Sequence, residues 1–184
     1  MTILQLRNVR LAFPAVFKAQ AFGDNNPAYG AKLIIDPASP NVAAIREAIS
    51  ASAKEKWGPK ADDIVKKLKA DQRSAWVEGP YTTKDGDTWD GFEGNFFLST
   101  RSEKLRPTAL DRQGQPVTEA DNVIYGGCYV HASVEIYAYD SPKWGRRINA
   151  VLRGVKFYAD GEGFGGSTAA SADEFGADDE EDFV

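Results

Sequence analysis

The chain has 184 residues, with 22 Lys and Arg against 27 Asp and Glu and a formal net charge of −5. One cysteine, Cys128, excludes an internal disulfide, and one histidine, His131, excludes a multi-histidine metal centre. The charge is unevenly spread: residues 160–184 hold nine acidic groups and no Lys or Arg, so residues 1–159 set 22 basic groups against 18 acidic ones, a net of +4.

That layout gives a body (1–159) long enough for one full core, followed by a flexible acidic tail (160–184). A mildly basic body on an acidic tail suits a protein that binds a polyanion and whose tail competes for the same site. No apolar run approaches the roughly 18–20 residues of a membrane span. The N-terminus lacks the basic and apolar regions of a signal peptide, so a cytoplasmic setting is expected.

In chain order, residues 3–13 read as a strand with Ile3, Gln5, Arg7, Val9, Leu11 and Phe13 on one face, ended by Pro14. A loop over 14–27 carries the turn-rich Gly23-Asp24-Asn25-Asn26-Pro27. Tyr29 to Ile35 is a second strand. A helix follows, with Ser39 as N-cap, Pro40 in the first position and Val42, Ile45, Ala48 and Ile49 at helical spacing. Trp57-Gly58-Pro59 breaks it before a Lys-rich helix from about Ala61 to Leu68. A short strand at 76–81, a polar loop to Gly91 and a strand at 95–101 come next. Residues 102–125 read as a long connection.

The strongest β signal is a hairpin over 127–158. Cys128, Val130, Ala132, Val134, Ile136 and Ala138 alternate and are apolar, as are Ile148, Ala150 and Leu152 on the return strand. The opposite parity then carries Tyr137 and Tyr139 beside Arg147 and Asn149, with Arg153 further along and Lys143, Trp144 and Arg146 at the tip. Aromatic rings stack under any base, and cations neutralise phosphates without reading sequence. Interleaving the two on one face points to nucleic acid. Arg101, Lys104 and Arg106 extend the same groove, and Trp89 in the polar loop is a further stacking candidate. The alternative is outward tyrosines covering a sheet, with arginines lying over apolar neighbours.

Catalytic constellations are missing. Cys128 and His131 fall on opposite faces of a strand, which rules out a nucleophilic pair. The glycine-rich Gly161-Glu162-Gly163-Phe164-Gly165-Gly166 lacks the Lys-Ser/Thr ending of a phosphate loop and reads as a linker. No cofactor or metal is expected, and the chain reads as a non-enzyme.

Leu6-Arg7-Asn8-Val9-Arg10-Leu11-Ala12-Phe13-Pro14 near the start, and Gly154-Val155-Lys156-Phe157-Tyr158-Ala159-Asp160 running into the glycine-rich stretch, supply a resemblance. On these anchors the chain resembles phage single-stranded DNA-binding proteins of the OB-fold class, in a tailed-phage family formerly of unknown function. The resemblance implies a mainly β fold with an inserted helix (α+β), an OB-fold-like five-stranded barrel, and a disordered acidic C-terminal tail. It implies sequence-independent binding of single-stranded DNA in replication or recombination, inside the infected bacterial cell. It also implies a tail, Asp178, Asp179, Glu180, Glu181, Asp182 and Phe183, that screens the groove and recruits replication or recombination proteins. Val184 follows Phe183, unlike bacterial tails that end on the aromatic, so a phage polymerase or helicase is the expected target. Two other readings stay open: a protein-interaction or assembly module without a nucleic-acid role, and a strand-annealing recombination protein. A homo-oligomer is compatible with any of them.

Overall fold

The structure is a computed structural model that describes residues 2–21 and 23–164. Its strands are β1 (Thr2–Gln20), β2 (Ala28–Ile35), β3 (Trp76–Val77), β4 (Phe96–Ser99), β5 (Thr108–Leu110), β6 (Tyr129–Ser141) and β7 (Gly145–Ala159). The helices are α1 (Pro40–Trp57) and α2 (Ala61–Ala70), joined by a 3-10 turn at Gly58–Lys60. All seven strands belong to one sheet in the order β3-β4-β2-β1-β6-β7-β5. The sheet curls until its ends meet. Ala75 N–H donates to the Ile148 carbonyl (2.8 Å), Ile148 N–H to Arg73 (3.1 Å), and Arg101 N–H to Ala150 (2.9 Å). These bonds close β1, β2, β4, β7 and β6 into a five-stranded barrel, with β3 and β5 as short additions. The β-rich body with an inserted helical segment is thus the fold expected from the sequence.

The hairpin's apolar alternation sets its register. Val130, Ala132, Val134, Ile136, Ile148, Ala150 and Leu152 are all buried in the barrel. Tyr137 stands opposite Asn149 and Tyr139 opposite Arg147. The first helix starts as its sequence requires: Ser39 Oγ accepts from Asn41 N–H (3.1 Å), and Pro40 occupies the first turn, where its missing N–H is no loss. The buried α1 face, Val42, Ile45, Ala48, Ile49 and Ala53, packs on β1 and β6. Ser52 ties it there by donating to the Ile136 carbonyl (3.0 Å).

The long first strand differs from the sequence expectation. Pro14 does not end it; it sits in a bulge between the Ala12–Lys32 and Ala15–Gly30 pairs, where a missing N–H breaks no ladder bond. A second bulge lies between Leu6 and Val9. Asn8 and Phe13 both take positive φ at these bulges. Each extra residue switches the strand's parity, so Ile3 is exposed while Leu6, Val9 and Leu11 are all buried. The groups freed at the Leu6–Val9 bulge find partners. Asn41 accepts from Arg7 N–H (3.2 Å) and donates to its carbonyl (2.8 Å), and Asn8 N–H donates to His131 Nδ1 (3.1 Å).

The stretch 102–125 is also more regular than expected. It contains β5, which runs parallel to β7, and a 3-10 turn at Glu119–Asp121.

Gly30 on β2 makes a close backbone approach to the chain leaving β4. With φ at +155°, a Cβ there would lie 2.1 Å from the Thr100 carbonyl oxygen. Gly30→Ala is therefore expected to destabilise the fold by about 2 kcal/mol or more. A lowered urea midpoint at unchanged m-value is the expected result.

Candidate nucleic-acid interface

A groove runs across the barrel from the 81–89 loop to the hairpin tip. One part, enclosing ≈ 450 Å³, is lined by Phe13, Lys32, Tyr81, Trp89 and Arg101 among others. The other, ≈ 890 Å³, is lined by residues that include Arg101, Tyr137, Tyr139, Trp144, Arg147 and Asn149. Asn25, Asn26, Ser99 and Arg101 belong to both, so the two parts are continuous.

The first part is an aromatic wall built by three separate segments. The bulge in β1 turns Phe13 outward. Residues 81–89 fold as a tight hairpin, with Trp89 N–H donating to the Tyr81 carbonyl (2.9 Å) and Thr83 N–H to Asp87 (2.7 Å). Tyr81 and Trp89 stack across it, ring centroids 6.1 Å apart at 12°, and Phe13 meets Trp89 edge-on at 5.4 Å. Below them Phe92 and Phe97 are buried and pack the loop onto β2 and β4. Trp89 keeps 41% and Phe13 36% of its surface exposed. The wall is thus fixed from behind and open in front.

Lys32 rises from β2 into this wall. Its Nζ donates to Ser99 Oγ (2.8 Å) and lies 4.3 Å from the Tyr81 ring centroid. Burial lowers its pKa from 10.5 to about 8.

At the centre Arg101 follows β4. Its guanidinium donates to the Asn26 carbonyl (3.0 Å) and pairs with Glu103 (3.1 Å), leaving the side chain half exposed. At the far end Tyr139 and Arg147 are exposed, with Tyr137 and Asn149 next in register. Trp144, at the tip, is 60% exposed, and Lys143 Nζ lies 4.9 Å from its ring centroid. Arg73 holds the tip down by donating to the Trp144 carbonyl.

Of the residues singled out from sequence, Tyr137, Tyr139, Trp144, Arg147, Asn149, Arg101 and Trp89 come together along this groove. Lys143 flanks it beside Trp144. The others do not line it. Arg146 takes the other parity and pairs with Asp140 (3.5 Å). Arg153 is exposed at the register shift in the hairpin, and Lys104 and Arg106 are exposed on the connection after β4. The tail residues Asp178, Asp179, Glu180, Glu181, Asp182 and Phe183 lie outside the described residues.

Phe13, Lys32 and Tyr81 escaped the sequence reading. The available signals were a Phe-Pro step interrupting a strand pattern, and a lone lysine between Ala31 and Leu33 in an apolar strand.

A smaller basic and aromatic set lies elsewhere on the barrel. His131 and Tyr158 rings sit 4.7 Å apart, and Arg112 lies 5.6 Å from the Tyr158 ring centroid. The His131 pKa is lowered by burial, then by the positive charges of Arg7 and Lys156. Cys128 is fully buried, so the two side chains are apart, as strand parity requires. Among the described residues no cluster of His, Cys, Asp or Glu could hold a metal ion. None of the helices described is long and apolar enough to cross a membrane.

The sequence matches, over residues 2–184, the family described as Enterobacter phage Enc34, ssDNA-binding protein. A relative, "Putative protein p50" of Acyrthosiphon pisum secondary endosymbiont phage 1, is 39% identical over 178 residues, covering 94% of this chain and 91% of its own length. Among solved structures, the single-stranded DNA-binding protein of bacteriophage Enc34 in complex with ssDNA superposes with a TM-score of 0.69. It is 23% identical, over 89% of each chain. The single-stranded DNA-binding protein gp2.5 of bacteriophage T7 gives a TM-score of 0.55 at 16% identity, over 100% of this chain and 94% of the other. At these identities the structures establish a shared fold.

Lys32 yields a pH signature. Between about 8 and 10.5 the native protein binds fewer protons than the unfolded chain. The cost of burying the ammonium is fully present below that window and is relieved as pH rises through it, so this group makes stability rise. In Lys32→Met the rise should shrink relative to wild type, as read from urea unfolding across the same pH range.

Proposed function

The chain belongs to the family of the single-stranded DNA-binding protein of Enterobacter phage Enc34, and on that premise we propose that its groove holds single-stranded DNA without regard to sequence. The observation that carries this reading is the groove's composition. Exposed or half-buried rings at both ends, Phe13, Tyr81 and Trp89 at one and Tyr137, Tyr139 and Trp144 at the other, alternate with Lys32, Arg101 and Arg147. The rings offer flat surfaces to any base, and the cations take the phosphates. Paired bases in a duplex present only their edges, so stacking of this kind requires a single strand. Lys143, Arg146, Arg153, Lys104 and Arg106 form an outer shell of positive charge that attracts the backbone from a distance.

In this reading the protein coats replication or recombination intermediates inside the infected bacterial cell, and it catalyses nothing. The acidic tail, carried on the same molecule, is a polyanion at high local concentration that competes for the cations when DNA is scarce. Its end, Asp178 to Phe183, then serves as the handle for replication or recombination proteins. The shared fold with a phage protein solved in complex with ssDNA supports the placement of DNA against this barrel.

Fluorescence anisotropy with labelled oligo-dT tests the groove. Trp89→Ala should weaken binding by about 5- to 150-fold, the range of one lost stacking contact of about 1–3 kcal/mol. Arg101→Ala and Arg147→Ala should each lower the slope of log affinity against log salt by about 0.7. Wild-type affinity in all three variants would place the DNA elsewhere. Removing residues 165–184 should tighten binding, most at low salt. An unchanged affinity across the salt series would leave the tail without a competing role.

A further inference from the structure

Residues 160–164 are not loose. They form a strap that folds back over Gly126–Tyr129. Tyr125 OH donates to Asp160 Oδ1 (2.8 Å) and accepts from Gly161 N–H (3.2 Å), and Phe164 N–H donates to the Gly126 carbonyl (3.2 Å). Arg10 spends its guanidinium on the strap. Its Nη2 donates to the Glu162 carbonyl (2.6 Å), its Nε to the Gly127 carbonyl (3.2 Å), and its charged carbon lies 4.2 Å from the Phe164 ring centroid.

The ring itself rests on Gly91. A Cβ at that position would stand 2.4 Å from Phe164 Cε1, and Gly91 has φ of +85°. Gly91 is the corner of the turn that carries Trp89: Phe92 N–H donates to the Trp89 carbonyl (3.1 Å) and closes the turn around it. Phe164 also packs against the buried Phe92 and Phe97 cluster behind the aromatic wall, the same cluster on which Tyr81 rests.

We propose that Phe164, held by Arg10, is a positioning residue that braces the Trp89 turn for DNA, and so couples the root of the acidic tail to the aromatic wall of the groove. The proposal rests on the groove being the single-strand site. Phe164 does not touch the DNA. It acts through Gly91 by limiting how far the turn can move, so that Trp89 meets a base already in stacking position. The same strap fixes where the tail leaves the body, at the back of the wall it competes for.

Charge alone predicts the opposite of the brace. Cutting the chain after Ala159 instead of after Phe164 removes two further acidic groups, Asp160 and Glu162, and should tighten DNA binding. The brace predicts a loss. Oligo-dT affinity is compared for the full chain, the forms ending at Phe164 and at Ala159, and full-length Phe164→Ala, each also with Trp89→Ala.

The form ending at Phe164 should bind tightest, the form ending at Ala159 several-fold more weakly, and Phe164→Ala several-fold below wild type. In the Trp89→Ala background both losses should vanish, which a general loss of stability would not produce. Equal or tighter binding by the form ending at Ala159, or losses that persist without Trp89, would overturn the brace and leave the groove reading intact. Absence of oligo-dT binding by every form would overturn both.

Discussion

The seam between the two ends of the sheet is the constraint on which the groove depends. Thr100 is buried beside it and ties the end of β4 to β2, its Oγ1 accepting from Ala31 N–H (2.9 Å) and donating to the Ala31 carbonyl (2.8 Å). The next residue, Arg101, gives its backbone N–H to β7 and its side chain to the groove. One residue thus joins the barrel and marks the midpoint of the site. Without closure, the aromatic wall on β1, β2 and the 81–89 loop would have no fixed relation to the hairpin face that carries Tyr137, Tyr139 and Arg147. Gly30 lets β2 approach the end of β4 this closely by leaving space for the Thr100 carbonyl.

In the proposed reading the groove combines two kinds of attraction that respond differently to conditions. Contacts between phosphates and Arg or Lys depend on counterion release and weaken steeply with salt. Stacking on fixed rings is worth about 1–3 kcal/mol per base and is much less sensitive to salt. Exposed cations alone would give weak, salt-labile adhesion to any polyanion, the acidic tail included. On this proposal the aromatic wall discriminates, since an acidic peptide has no bases to stack. Lys32 stands where both meet: its ammonium is held among rings, at a desolvation cost that its lowered pKa records.

Much of this was legible in the sequence, for a physical reason. The hairpin's alternation of apolar and polar residues follows the period of a strand, and a one-residue slip would have exposed its entire core face. The pairing of Tyr139 with Arg147 and Tyr137 with Asn149 was therefore readable in advance. The helix start at Ser39-Pro40 was readable from capping chemistry. The bulges were not, because an extra residue at Asn8 or Phe13 leaves composition unchanged while reversing every face beyond it. Phe13 and Tyr81 become wall residues only through tertiary packing. Phe164 sits in a glycine-rich stretch whose composition matches a linker. Its place is set by Arg10, 154 positions earlier in the numbering, and by Gly91, contacts with no local signature.

Bases are expected to stack along this groove and not on the other basic and aromatic face near His131 and Tyr158. Photo-crosslinking with an oligonucleotide carrying 5-bromodeoxyuridine, followed by mass-spectrometric mapping of the attachment sites, tests it most directly. Crosslinks at Tyr81, Trp89, Tyr137, Tyr139 and Trp144 are the expected result. Crosslinks confined to Tyr129, His131 or Tyr158 would contradict it and move the DNA to the opposite end of the hairpin.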